Sequence, residues 1–178
     1  QYNLKTPVRM SGVDVNYKQA LTFLPPWARG VQVFANLGAQ TLNGDDSGSF
    51  AGYIPRTYNW GVSLTRQRYN LRANWNYSGR ARQAIVATAR GIEPGTYTWG
   101  SKRLIVDLSG ELVLHKRWAA FMNLSNFTDE PIDLEIAGPS TPAHAQLRSR
   151  TNYGAQWTFG LDRKSTRLNS SHITISYA

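Results

Sequence analysis

An all-β chain, its antiparallel strands running up and down in a meander, is the fold class this sequence predicts, and three observations predict it. Apolar residues recur with a period of two over most of the chain, the spacing that sends successive side chains to opposite faces of a strand. The connecting segments alternate between short and long, as they must when a meander visits one edge and then the other. Aromatic residues make up 12% of the chain against 17% charged ones, a mixture that suits apolar residues set in outward-facing bands better than a compact aliphatic core.

Val13, Val15, Tyr17, Leu21 and Phe23 alternate with Asp14, Asn16, Lys18 and Thr22 to make the first predicted strand, with Gln19 as the exception. In the second, Val31, Val33, Ala35, Leu37 and Ala39 oppose Gln32, Asn36, Gly38 and Gln40, and Phe34 falls on the polar side. Trp60, Val62 and Leu64 against Gly61, Ser63 and Thr65 give the third. Leu71, Ala73, Trp75 and Tyr77 against Arg72, Asn74, Asn76 and Ser78 give the fourth. The fifth carries Leu104, Val106, Leu108, Gly110, Leu112 and Leu114 on one face and Asp107, Ser109 and Glu111 on the other. Trp118 to Phe127 is the sixth and least regular, because Phe121 and Met122 compete for the same face. Tyr153, Ala155, Trp157, Phe159 and Leu161 against Asn152, Gly154, Gln156, Thr158 and Gly160 complete the set. Val, Tyr, Trp and Thr favour strands, and helical spacing explains none of these segments as well.

The short connections are Leu24–Gly30, Arg66–Tyr69 and His115–Arg117, and the long ones are Asn43–Pro55, Ala81–Gly100 and Thr128–Gln146, rich in turn-forming Gly, Pro, Asp, Ser and Thr. Tight turns at one edge and long loops at the other mark a bacterial transmembrane barrel. No apolar run reaches the roughly 18 residues of a membrane-spanning helix, but barrel strands cross with about 9 to 11 alternating residues. The expected architecture is therefore part of an antiparallel transmembrane β-barrel of about seven strands. A soluble β-sandwich binding module is the alternative from another class.

The absence of Cys excludes disulfides and thiolate zinc sites. Twenty Lys and Arg against 11 Asp and Glu leave a net charge of +9, which by itself does not choose among nucleic acid, an anionic membrane surface and an acidic ligand. The last residues, Asp162 to Ala178, read DRKSTRLNSSHITISYA, similar codon for codon to one frame of a short-read sequencing adapter with its index. Residues 162–178 are accordingly set apart as a non-native tail and excluded from the reasoning about fold. Without Asp162, Arg163, Lys164 and Arg167, 17 basic residues still oppose 10 acidic ones. QYNLKTP at the start lacks an initiating Met and a signal peptide, so the expectation is a C-terminal piece of a longer protein.

Four stretches, YKQALTFLPPWARGVQVFANLG (Tyr17–Gly38), FAGYIPRTYNWGVSLTRQRYNLRANWNYSGR (Phe50–Arg80), GIEPGTYTWGSKRLIVDLSGELVL (Gly91–Leu114) and MNLSNFTDEP (Met122–Pro131), resemble the C-terminal barrel strands of TonB-dependent receptors. The resemblance covers almost everything before Asp162, and NLSNFTDEP is its most specific piece, with Phe127 where the family usually has Leu. It implies a Gram-negative outer-membrane barrel of about 22 strands with a plugged lumen. It also implies an N-terminal plug that contacts TonB, and energised import of a scarce extracellular ligand such as an iron chelate, cobalamin or a glycan. Lipid and lipopolysaccharide are the implied surroundings. The family's closing aromatic is missing, since the chain reaches only TFGL before residue 162. A passive porin is the nearest rival.

Few residues suggest chemistry. GDDSG (Gly44–Gly48) resembles the surroundings of a hydrolase serine at Ser47, but a Ser nucleophile needs a His base in reach. The candidates are His115, expected at the opposite edge, and His144. Asn43, Asp45 and Asp46 offer oxygen ligands of the type calcium prefers, at a spacing that favours a solvated acidic loop. Asn126-Phe127-Thr128 matches a glycosylation triplet that has no meaning in an outer-membrane protein. Arg66, Arg68, Arg72, Arg80 and Arg82 mix with Tyr69, Trp75 and Tyr77, superficially a nucleic-acid pattern, yet the period of two sets Arg72 opposite the rings, as in a wall between lipid and a wet lumen. Trp60, Trp75, Tyr77, Trp99, Trp118 and Trp157 are then candidate girdle or lipid-facing positions. Arg80, Arg82 and Arg90 are candidates to meet lipopolysaccharide phosphates or an anionic ligand, against the plainer reading of a solvated loop. No enzyme, cofactor, metal site or nucleic-acid partner is expected, and the ligand-binding residues are not legible.

Overall fold

The structure, a computed structural model, describes residues 7–44, 50–87, 89–115 and 117–163, and residues 171–177 as backbone. Twelve strands follow in order: β1 (Arg9–Ala20), β2 (Val31–Asn43), β3 (Arg56–Thr65), β4 (Tyr69–Ser78), β5 (Ala81–Ile85), β6 (Tyr97–Gly100), β7 (Arg103–His115), β8 (Trp118–Ser125), β9 (Ile132–Ala137), β10 (Leu147–Thr151), β11 (Gln156–Arg163) and β12 (Ser171–Tyr177). Among the described residues the only helical turns are three-residue 3-10 turns. The chain is all-β, and all ten strand pairings are antiparallel.

Eight strands form the main sheet in the order β1-β2-β3-β4-β7-β8-β11-β12, an open sheet whose edges are β1 and β12. Its first seven members are the seven expected strands in sequential meander, with the short connections at one edge and the long ones at the other. The eighth, β12, comes from the segment set apart as a tail and pairs with β11 from Trp157 opposite Tyr177 to Arg163 opposite Ser171. β11 itself runs through residue 162, past the boundary drawn from sequence.

Register settles the facing. Directly opposed residues share a face, and one row runs Val33, Val62, Ala73, Leu108, Leu124 and Trp157 across β2, β3, β4, β7, β8 and β11. The next residues along the strands, Gln32, Ser63, Arg72, Ser109, Asn123 and Thr158, form the corresponding row on the other face. Trp60 stacks on Trp75 at 6.4 Å and Tyr58 on Tyr77 at 5.3 Å, pairs that add about 0.5–1.5 kcal/mol each beyond their burial.

Nothing covers the apolar face among the described residues: Leu71 keeps 44% of its surface, Leu112 46% and Trp157 43%. Among the described residues, buried apolar side chains are confined to Ala28, Val106, Ala119, Leu124 and Ala137. The contacts between elements join neighbouring strands within a sheet, and the two sheets do not stack face to face as in a sandwich.

Several expectations are corrected. Residues 81–100 and 128–146 were expected as loops, and instead carry strands β5, β6 and β9, which join β10 in a second sheet ordered β10-β9-β6-β5. This sheet prolongs the first. Ser78 opposes Arg103 and, three residues on, Ala81 opposes Gly100, so the β4–β7 ladder resumes without gaining or losing a residue. Across β9 the register has moved by two residues on both sides, and the turn after β8 absorbs the surplus.

Strand β1 ends at Ala20, so Leu21 and Phe23 lie in the turn, where Phe23 is 76% exposed. β8 stops at Ser125, and β11 begins at Gln156, leaving Tyr153 and Ala155 outside it. Phe121 joins the polar face opposite Glu111 and Gly160, and Met122 the apolar one opposite Gly110 and Phe159.

Candidate functional site

The polar face is built by alternation and then tied by side chains. Asn16, Asn36, Asn59 and Asn76 stand directly opposite one another across β1 to β4. Asn59 donates to Asn76, which donates to Asp107 at 3.0 Å. The other oxygen of Asp107 accepts the Asn126 backbone N–H at 3.0 Å. The misplaced Phe34 has a physical reason: its ring lies against Gly61, where a Cβ would meet it at 2.6 Å, and Arg72 sits over it at 5.0 Å. Around it, Lys18, Gln32, Asn59, Arg72 and Asn74 line an open trough of about 590 Å³.

At the long-connection edge this face runs on into the second sheet. Arg80, just before β5, and Arg82 within it alternate along the chain and so share a side. Arg82 opposes Trp99 of β6, which opposes Glu135 of β9. Arg80 lies over the Trp99 ring at 4.5 Å and Arg82 over the Tyr97 ring at 5.3 Å, both within cation–π range. The Arg80 guanidinium contacts Glu135 at 2.6 Å and donates to Gln146 at 3.2 Å. The outer ends of β2 and β3 close the other side, where the Tyr53 hydroxyl donates to the Gln40 carbonyl at 2.5 Å and Tyr53 bridges to Arg82 through the backbone. Between them lies a cleft of about 500 Å³ whose lining, among the described residues, includes Gln40, Tyr53, Arg56, Arg80, Arg82 and Trp99.

Two braces hold the second sheet. Glu93 accepts the Ser140 N–H and hydroxyl, both at 2.7 Å, and these bonds hold its carboxyl below its ordinary value of 4.5. Gly138 is required beside it, since a Cβ there would lie 2.5 Å from Glu93 and Thr96 oxygens. Arg150 pairs with both oxygens of Asp133 at 2.7 and 2.6 Å; these hydrogen bonds lower the Asp133 carboxyl and raise the guanidinium.

The other sequence candidates disperse. Ser47, Asp45 and Asp46 lie outside the described residues. Asn43 ends β2, His115 closes β7 at the short-turn edge, and His144 sits in a 3-10 turn before β10 at the other edge. Asn126 holds the turn after β8 at φ 53°, accepting Glu130 N–H and donating to the Glu130 and Gly154 carbonyls. The arginines between 66 and 82 occupy distinct levels: Arg66 clamps the Pro26 and Trp27 carbonyls at 2.9 and 2.7 Å, Arg72 sits mid-sheet, and Arg80 and Arg82 lie at the outer cleft. Arg90 is in a turn beyond β5, apart from the cleft. Trp60, Trp75, Tyr77, Trp118 and Trp157 take the apolar face by register, but Trp99 does not: it is in the second sheet, facing charge. Tyr97, Tyr53, Gln146 and Glu135 were missed. The alternation Tyr97-x-Trp99 and Asp133-x-Glu135 was available as a strand signal, hidden by the shortness of those strands.

No protein-family model, no curated protein and no solved structure matches this chain. The functional reading therefore rests on the geometry and on the sequence resemblance.

Proposed function

We propose that this chain forms part of the barrel wall of a TonB-dependent receptor in a Gram-negative outer membrane, and that the whole protein binds a small extracellular ligand and imports it with energy delivered through TonB. The observation that carries the proposal is the single-layer sheet: among the described residues its apolar face is uncovered over seven strands, while its polar face is tied by side-chain hydrogen bonds. A surface of that extent exceeds the few hundred Å² that soluble monomers leave uncovered, whereas hydrocarbon on one side and a water-filled lumen on the other match both faces. Tight turns would then lie on the periplasmic side, and the second sheet would stand above the membrane as prolonged hairpins bearing the cleft. Seven strands are too few for a lumen that holds a plug; the remaining wall, the plug and its contact with TonB belong to the rest of the proposed receptor.

The wall is tested with nitroxide labels at Leu108 and Asp107 of the chain in detergent micelles. The expected result is that Leu108 is relaxed by oxygen and Asp107 by a water-soluble nickel chelate; equal accessibility at the two sites would end the membrane reading. Transport is tested on the whole receptor: import that persists in cells without TonB would identify a passive porin.

A further inference from the structure

We infer that the short-turn edge of the main sheet docks on a phospholipid leaflet rich in anionic headgroups, with Arg29, Arg68 and Arg117 gripping lipid phosphates and Trp27, Tyr69 and Trp118 lying at headgroup depth. The inference rests on the proposed receptor reading for there being a leaflet at this edge, and on the edge's own charge and rings for the kind of lipid.

Each of the three short turns sets an exposed arginine within two residues of an exposed ring: Trp27 and Arg29, Arg68 and Tyr69, Arg117 and Trp118. Tyr69 opens β4 and Trp118 opens β8, and register puts both on the apolar face. Toward this edge the chain thus passes from aliphatic side chains such as Leu71 and Leu112 to rings and then to guanidinium groups. Polarity rises in the same order through a bilayer, from hydrocarbon to phosphate.

The first turn is built to hold its ring out. Pro26 opens a 3-10 turn, Ala28 is buried beneath it, and Arg66 donates to the Pro26 and Trp27 carbonyls at 2.9 and 2.7 Å. Gly30, at φ 89°, lets the backbone close on Thr65, where a Cβ would strike the carbonyl oxygen. Trp27 is nevertheless 80% exposed and Phe23 76%. A turn fixed in this way keeps their apolar surface available for what lies beyond the edge, and in water that surface forfeits the gain of burial.

Charge names the lipid. The short turns, residues 24–30, 66–69 and 115–117, hold five Lys and Arg and no acid. Of the ten acidic residues before Asp162, seven lie in the segments 43–55, 81–100 and 128–146 and three in β1 and β7. Toward the short-turn edge the strand acids are Glu111 on β7 and Asp162 on β11, both on the polar face by register and so away from Tyr69 and Trp118. An edge of one sign repels a second copy of itself, and an acidic soluble partner has no use for rings on the apolar side. A headgroup of net negative charge satisfies both features, since arginine forks match phosphate and no choline or amine competes for it.

The experiment measures partition of the full chain from buffer into phosphatidylcholine bicelles, pure or with roughly a third of the lipid replaced by anionic phosphatidylglycerol. The anionic lipid should raise partition at low salt, and high salt should erase the gain. Arg29→Gln, Arg68→Gln and Arg117→Gln should each cut that gain about fivefold, the worth of one cation at an anionic surface. Partition into pure phosphatidylcholine should stay nearly unchanged in all three. Arg90→Gln removes the same charge from the opposite edge and should leave the gain intact. Trp27→Ala should lower partition into both lipids roughly tenfold, as for a ring withdrawn from apolar surroundings. An equal loss of gain in Arg90→Gln would reduce the effect to net charge and overturn the inference. So would a gain that survives the three glutamine substitutions together, or a Trp27→Ala chain that partitions like the unsubstituted one. Self-association in the bicelles that the three substitutions abolish would assign the edge to a second copy and overturn it as well. Failure of the chain to enter even pure phosphatidylcholine would strike the receptor reading instead.

Discussion

Placing one charge on each face of the main sheet distinguishes the two faces energetically. Leu108 sits mid-strand in β7, flanked by Ala73 and Leu124 with Val62 and Trp157 further along the row. Leu108→Arg puts a guanidinium at the centre of the apolar face, which costs about 2–4 kcal/mol at the middle of a bilayer. Asn123, exposed on β8, lies on the opposite face between Ser109 and Thr158; Asn123→Arg there should stay within about 0.5 kcal/mol, as solvated substitutions do. The difference corresponds to roughly 30- to 800-fold in an equilibrium constant. The assay is partition of the full chain between buffer and phospholipid bicelles, followed by sedimentation over a series of lipid concentrations. Leu108→Arg should lower partition by something approaching that factor and Asn123→Arg should leave it nearly unchanged. Equal losses for the two variants, or a larger loss for Asn123→Arg, would refute the assignment of faces.

Without detergent the chain should associate rather than stay monomeric, because water leaves the apolar face unmatched and the β1 edge open; a soluble monomer with a sharp unfolding transition in sedimentation and melting experiments would contradict this. Truncation after Leu161 should lower micelle-bound strand content by no more than β12 and the end of β11 contribute and should leave the proteolytic resistance of β1 to β8 unchanged, and a larger fall in either would argue against the adapter origin of residues 162–178. Asn126→Ala should loosen the junction of β8 and β9 by about 2–3 kcal/mol, from lost hydrogen bonds and a left-handed backbone that Ala resists. Asn126→Gly should restore only the backbone part, as read by amide exchange in β9. The Glu93 brace should depend on pH: a carboxyl lowered in the folded state contributes fully above its unfolded value of 4.5 and loses that contribution as pH falls through its lower folded value. Amide exchange around Ser140 should therefore accelerate, beyond its intrinsic trend, on acidification below pH 4.5, and Glu93→Gln should show the loosened state at neutral pH. Unchanged protection in that variant would dismiss the brace.

The pattern of alternation by itself determined the seven long strands, their order and their two faces, because a period of two leaves each side chain only one face and strict short-long connections leave a meander only one order. Leu71 against Arg72 and Leu108 against Asp107 were legible for that reason. Local sequence could not reveal pairings between segments far apart in the chain. Tyr97–Gly100 and Ile132–Ala137 alternate over too few residues to stand out from the long connections around them, and they pair as strands where β4 and β7 deliver the first hairpin in register and the Asn126 turn delivers the second. Phe34 breaks the pattern of its own strand and is explained only by Gly61 on the next. The cleft is likewise tertiary: Arg80 and Arg82 were visible as basic residues, but Trp99 beneath one, Tyr97 beneath the other and Glu135 alongside come from strands brought together by backbone pairing. Composition therefore supplied the cations, and only the register of three strands decided what they face.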